Sequence, residues 1–284
     1  MLSDEEAASR ASRLLAVWGD PIDHSRSPAL HGAAYRALGL DWHYGRRRVD
    51  AAGFRAAVDG LDGRWHGLSL TMPLKEEAFA WARHRDRHAV LTGAANTVVL
   101  DGPRRGHVWN TDVGGLVRAL IEAGVSGAGS VRILGAGATA ASALVAASEL
   151  GAERVEVAAR RPEAAGPLRR IAAQLDLPVE VIPFDAAEHA VDLTIATLPG
   201  GAAPDARATA RLAATGGALF DVAYAPWPSA LASAWDGAPA LPGLGMLLHQ
   251  AVLQVRVFVS GELDEPLPNE DVIVAEMRRA VMGD

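Results

Sequence analysis

The chain of 284 residues contains no cysteine, which excludes disulfides and thiolate metal centres, and no metal site is expected in it. All but one of its 27 basic residues are arginine, and the exception is Lys75. Side-chain amides are scarce too: three asparagines (Asn96, Asn110, Asn269) and three glutamines (Gln174, Gln250, Gln254). There is no long apolar run. The alanine-rich stretch near residues 138–150 is interrupted by Ser142, Ser148 and Glu149 and is too short to cross a bilayer. No basic patch with interleaved aromatics is present, so nucleic acid is not an expected partner. The start, Met1-Leu2-Ser3-Asp4-Glu5-Glu6, is acidic and lacks the basic-then-apolar order of a signal peptide. Net charge is −7 with both signs mixed along the chain, and half the residues are hydrophobic. These features predict a cytoplasmic protein with no membrane segment and a core large enough for two domains.

The lone lysine carries the most information. Wherever this chain places a positive charge it uses arginine, which stays protonated, whereas a lysine amine can give up a proton when partly desolvated. Lys75 follows Thr71-Met72-Pro73-Leu74, a loop after an apolar run, and loops at strand ends carry reacting groups. A functional amine is the expectation, with a solvated lysine as the alternative.

Before that loop, Leu14–Trp18 reads as a strand stopped by Gly19-Asp20-Pro21. Pro28 to Leu38 reads as a helix with Ser27 as its N-cap, after His24, Ser25 and Arg26. That start suits either a plain serine cap or a seat for a carboxylate or phosphate. Strands are predicted over 42–49 and 66–70, with helices over 51–60 and 75–83. The alternation makes an α/β domain. Residues 97–100 and 106–109 read as a strand pair around Asp101-Gly102. Asn96 and Asp112 flank that pair, where an amide and a carboxylate can meet a polar substrate. Alternatively, Asp112 is the N-cap of a helix over 113–123.

Beyond this point the strand 131–134 runs into Gly135-Ala136-Gly137-Ala138-Thr139-Ala140 and then a helix over 141–150. Gly-x-Gly-x-x-Ala between strand and helix suits a dinucleotide: a tight turn, close approach to pyrophosphate, then close helix packing. The next strand, 155–159, leads to Arg160-Arg161, where an NAD site usually has an acid. Arginine there suits a 2′-phosphate, hence NADP(H), or else is a solvated pair. A helix over 162–175 follows, then strands 179–182, 193–196 and 218–221 and an edge strand 239–242. The loop Thr197-Leu198-Pro199-Gly200-Gly201 lies where a cofactor crevice is lined. After Gly243-Leu244-Gly245, helices over 246–260 and 269–282 are expected to pack back on the first domain. Gln250, in an otherwise apolar helix, needs a partner, either substrate or backbone.

The motifs Gly19-Asp20-Pro21-Ile22 with His24-Ser25-Arg26-Ser27-Pro28, Leu70-Thr71-Met72-Pro73-Leu74-Lys75 and Gly93-Ala94-Ala95-Asn96-Thr97 resemble the shikimate dehydrogenase family. So do Asn110-Thr111-Asp112, Gly135-Ala136-Gly137, Tyr224 and Gly243-Leu244-Gly245-Met246 with Gln250. Ser69 stands where that family often has Asn, and the arginine bias is similar to actinobacterial-type members. The resemblance implies NADP-dependent reduction of 3-dehydroshikimate, with quinate or aminoshikimate chemistry as the rival and a non-catalytic NADP(H) sensor as the remoter one. It implies two domains: residues 1–112 completed by 246–284 for substrate, and a Rossmann-type 113–245 for cofactor. It implies Lys75 and Asp112 as the catalytic pair, Ser25 and Ser27 on the substrate carboxylate, and Thr71, Asn96, Asp112, Tyr224 and Gln250 around the ring. Gly135–Ala140, Arg160, Arg161, Thr197, Leu198, Gly243 and Met246 are the expected cofactor contacts. The partner is a small molecule, and the enzyme is a monomer or a homodimer.

Overall fold

The computed structural model describes residues 4–200 and 202–282, so expectations for residues 1–3 and Gly201 fall outside it. The chain divides into two compact units, Met1–Thr111 with Gln250–Asp284, and Asp112–His249.

The first unit opens with α1 (Asp4–Arg10) and β1 (Arg13–Gly19). Leu14 to Trp18 are all buried, as a strand covered on both faces requires. There follow α2 (Ser27–Ala37), β2 (Trp42–Arg48), α3 (Phe54–Asp59), β3 (Trp65–Leu70), α4 (Lys75–Trp81), β4 (His84–Arg85), α5 (Arg87–Thr92), β5 (Thr97–Val99) and β6 (His107–Trp109). The sheet order is β2-β1-β3-β5-β6-β4, with β1 parallel to β2 and β3, and β5 antiparallel to β3 and β6. Trp18, Phe54, Val58, Leu68, Leu70, Leu74, Val98 and Val108 share one core.

Two expectations need correction here. Ser27 is not the N-cap of α2: it is the first helical residue, Arg26 holds the cap position, and no side chain caps the helix. The strand β4 and helix α5 were not anticipated. The helix is too short to show a period, although its ends carry signals: Asp86 Oδ1 accepts from Ala89 N at 2.8 Å, and Gly93 closes it at φ 67°.

The second unit runs α6 (Asp112–Glu122), β7 (Ser130–Leu134), α7 (Ala138–Glu149), β8 (Arg154–Ala158), α8 (Gly166–Gln174), β9 (Val179–Ile182), β10 (Leu193–Ala196), α9 (Ala206–Thr215), β11 (Ala218–Asp221), α10 (Ala230–Ser233) and β12 (Ala240–Pro242). Its strands are all parallel, in the order β12-β11-β10-β7-β8-β9. Counted along the chain this is the doubly wound 3-2-1-4-5-6 order of a Rossmann-type sheet. Alanines fill α7, and Ala140 to Ala147 are all buried, so small side chains let this helix lie close on the sheet. Arg132, fully buried, pairs with Glu156 across β7 and β8 and donates to Thr215 Oγ1 (2.9 Å) and to the His189 carbonyl (2.7 Å).

The helix expected over 162–175 is broken: a 3-10 turn covers Pro162–Ala165 and α8 begins only at Gly166, with a proline in its first turn. Helix α7 starts at Ala138, inside the glycine loop, and α9 and α10 were not anticipated. The last strand leads into α11 (Leu244–Ser260), which takes up Leu244 and Gly245 rather than breaking at them, and α12 (Glu270–Met282) closes the chain. The division between the units falls inside α11, after His249. In the first unit, α12 packs on α2 and the Phe258 ring of α11 lies over β3. Gly67 permits that: a Cβ there would sit 2.4 Å from the ring. Among the described residues no helix is long and apolar enough to cross a membrane.

Candidate active site

In the first unit the parallel strands β1 and β3 end side by side, and the loops leaving them are tied together. Asp20 N donates to Met72 O at 2.9 Å and Thr71 N to Trp18 O at 3.0 Å. Gly19 makes room for this, since a Cβ there would lie 2.3 Å from Thr71 Cγ2. One of these loops carries Ser25 and Ser27. Ser27 is buried, and its N–H donates to Ser25 Oγ at 3.3 Å. The other carries Thr71 and, as the first residue of α4, the half-buried Lys75.

The antiparallel β5 begins at this same edge, which brings Asn96 alongside. Ala95 N donates to Lys75 O at 2.9 Å, and Asn96 N to Trp109 O at 3.0 Å. The Asn96 side chain is held firmly: Oδ1 accepts from Thr111 N (3.0 Å) and Thr97 Oγ1 (2.8 Å), while Nδ2 donates to Thr111 Oγ1 (2.9 Å). A longer contact of 3.4 Å runs from Asn96 Nδ2 to Gln250 Oε1 on α11.

Behind this edge lies a buried polar group that the sequence reading did not assemble. Gln254, one turn beyond Gln250, donates from Nε2 to the Asn96 carbonyl at 3.1 Å. Its Oε1 accepts from Ser69 Oγ at 2.8 Å and faces His31 Nε2 at 3.1 Å. His31 is fully buried, with Nδ1 3.2 Å from the Tyr35 hydroxyl and its ring stacked on Tyr44 at 4.0 Å. Burial lowers its pKa to about 3, against the weaker raising effect of the Gln254 bond, so the ring is neutral. With Gln254 Oε1 an acceptor, the proton sits on Nε2 and Nδ1 accepts from Tyr35. Burial also pushes the Tyr35 and Tyr44 hydroxyls upward. The Tyr44 hydroxyl, near Ser69, makes no hydrogen bond of normal geometry.

In the second unit the sheet order reverses between β7 and β10, the place where doubly wound sheets open a ligand crevice. Gly135 leaves β7 at φ 112°, a conformation side chains avoid, and a Cβ on it would meet Thr197 Oγ1 at 2.8 Å. The Thr197 hydroxyl is fixed on Leu134 O at 2.8 Å. Gly137 caps α7 with no side-chain bond and with open space at its Cβ position. That leaves the first N–H groups of a twelve-residue helix available to a phosphate. The residues therefore fit a dinucleotide. Arg160 and Arg161 are exposed just past β8, the strand beside β7. Gly243, following β12, presses on the backbone of Val222, and Met246 is buried within the first turn of α11. No group of three or more His, Asp or Glu side chains among the described residues could hold a metal ion.

Of the expected substrate and catalytic residues, Ser25, Ser27, Thr71, Lys75, Asn96 and Gln250 belong to the first unit. Asp112 (buried, opening α6), the half-buried Tyr224 and the cofactor set belong to the second. Thr111 was not singled out from the sequence as a ligand of Asn96. The spacing of a strand pair, which returns residue 111 beside residue 96, was the available signal.

A doubly wound sheet with a glycine turn at its switch point defines the class: a dinucleotide-binding α/β protein. Comparison with known proteins narrows it. The family model described as shikimate dehydrogenase substrate binding domain matches residues 17–98. The NADP(+) shikimate dehydrogenase of Methanothermobacter thermautotrophicus is 34% identical over 280 residues, covering 94% of this chain and 96% of that relative. The solved shikimate dehydrogenase of Mycobacterium tuberculosis superposes with a TM-score of 0.81 at 36% identity, covering 93% and 98% of the two chains. That of Thermus thermophilus, solved with NADP(H) and shikimate, gives 0.78 at 28% identity over 95% and 100%. The chain belongs to the shikimate dehydrogenase family.

Proposed function

We propose that this chain catalyses the reversible, NADP-dependent reduction of 3-dehydroshikimate to shikimate. The observation that carries the reading is the position of the single lysine. Its carbonyl accepts from Ala95, the next residue Asn96 is clasped by Thr111, and Asp112 follows directly in the chain. The first unit is read as the substrate domain and the second as the cofactor domain. NADPH, when bound, supplies the hydride. Lys75, as an ammonium, delivers the proton to the oxygen that becomes the new hydroxyl and stabilises its developing negative charge; in reverse it takes that proton back as the amine. Asp112 holds the Lys75 ammonium and the adjacent substrate hydroxyl. Ser25 and Ser27 take the substrate carboxylate, and Thr71, Asn96, Tyr224 and Gln250 surround the ring.

On the cofactor side, Gly135 to Ala140 receive the pyrophosphate, with Thr197, Leu198, Gly243 and Met246 lining the crevice. Arg160 and Arg161 receive the 2′-phosphate, which supports NADP over NAD. The reaction is placed in the cytoplasm, in a monomer or homodimer.

The test follows reduced-nicotinamide absorbance with shikimate, quinate and aminoshikimate, each with NADP⁺ and with NAD⁺. Turnover with shikimate and NADP⁺ well above every other pair is the expected result. Preference for another ring keeps the lysine chemistry and moves the substrate. No turnover with any pair, in folded protein that binds NADPH, overturns the enzyme reading.

A further inference from the structure

Gln250 and Gln254 stand four residues apart on α11, so their side chains leave the same face one turn apart. Gln254 is tied to three elements of the first unit: His31 on α2, Ser69 on β3, and the carbonyl of Asn96, which also accepts from Leu70 N at 2.8 Å. Each partner matches its chemistry, with two donors on Oε1 and an acceptor on Nε2, so the amide has one orientation. One turn earlier, Gln250 Oε1 stands 3.4 Å from Asn96 Nδ2. Gln254, together with the Phe258 ring over Gly67, therefore helps set the rotation and height of α11 over the sheet, and these decide where the Gln250 amide stands against that of Asn96. His31 cannot be a proton donor in this arrangement: it is buried, neutral and points its N–H into the protein.

From this geometry we infer that His31 and Gln254 are positioning residues, which fix α11 so that Gln250 and Asn96 present a preset pair of amides to the substrate ring. The inference rests on the functional reading above for what the amide pair receives. An interaction that holds ring hydroxyls equally in the ground and transition states appears in KM and leaves kcat alone. A role in stability alone lowers the melting temperature and leaves the KM of the folded fraction unchanged.

The experiment measures shikimate KM, NADP⁺ KM, kcat and melting temperature for wild type, His31→Phe, His31→Gln, Gln254→Met and Gln254→Glu. His31→Phe and Gln254→Met are expected to raise shikimate KM about tenfold, with kcat and NADP⁺ KM within about twofold. His31→Gln keeps an N–H in reach of Gln254 Oε1 and should return shikimate KM to within about threefold of wild type. Gln254→Glu keeps the acceptor but sets an oxygen against the Asn96 carbonyl, so it should behave like Gln254→Met. If the two disruptive variants fail to fold, the contrast between His31→Gln and Gln254→Glu decides. An unchanged shikimate KM in folded, active variants overturns the inference, as does a rise no smaller in NADP⁺ KM. If wild type turns over no ring, the functional reading falls separately. The positioning claim then stands or falls on the side-chain amide resonances of Asn96 and Gln250, which Gln254→Glu must shift. With three asparagines and three glutamines in the chain, those signals are few enough to assign.

Discussion

The candidate site of the first unit is built from side chains, and that of the second from backbone. Around Asn96, side chains from three segments converge on its polar groups, Thr111, Thr97, and Gln250 and Gln254 on α11, beside backbone bonds to Thr111 N and Trp109 O. Around Gly135 the functional surface is a bare turn and an uncapped helix start, shaped by the absence of side chains. The first arrangement suits a small polar ring whose hydroxyls must be told apart. The second suits a phosphate chain, which needs only correctly spaced N–H groups. The two sites should therefore fail in different ways.

The largest effect is expected at the side-chain site. Lys75→Met should lower kcat by roughly 10²–10⁴ while shikimate saturation changes little, because the lost interaction acts on the transition state. Retention of most turnover at unchanged KM would remove the lysine from the mechanism. Next comes the backbone site, where Gly135→Ala forces a side chain into φ 112° and against Thr197. Strain of about 1–3 kcal/mol there should weaken NADPH binding roughly tenfold or more. A fluorescence titration reads this directly, and normal affinity would mean the turn is less constrained than it looks.

A third measurement concerns pH. The pKa of His31 is lowered in the fold to about 3 from its ordinary 6.5, so the unfolded chain binds a proton that the native chain refuses. The stabilisation is present above pH 6.5 and is lost as pH falls toward 3, by about 1.4 kcal/mol per unit in that window. His31→Gln should flatten this part of the urea-midpoint profile, and an identical slope in both proteins would contradict it. The smallest effect is at Tyr44, whose buried hydroxyl makes no hydrogen bond of normal geometry. Tyr44→Phe should change stability by no more than about 0.5 kcal/mol, or raise it, since no satisfied bond is lost. A large loss in a denaturant titration would reveal a hidden partner.

The two sites were also legible in different ways. The glycine turn could be read from spacing, because its chemistry lies in what glycine lacks, and the Rossmann-type fold followed from the strand, turn and helix around it. The side-chain site showed itself through scarcity: one lysine and a handful of amides. Its supporting layer did not. Nothing local to Gln254 indicates that it meets His31 and Ser69, more than 180 residues away along the chain in each case. Ser27 differs from the expected cap because Ser followed by Pro signals a helix start without fixing whether the serine is the cap or the first helical residue. The short elements α5 and α10 escaped because six and four residues carry little periodicity, whereas α9 was missed although Ala208 and Leu212 repeat at helical spacing.

The start of α4 also makes the protein convenient to label. Lys75 is half-buried there and bears the only side-chain amine in the chain. Reductive methylation with ¹³C-formaldehyde would place methyl groups on that nitrogen and on the terminal α-amine, and on no other side chain. The lysine signal would then report, in one resonance, the protonation of the nitrogen assigned here to move the proton, with no mutation needed to isolate it.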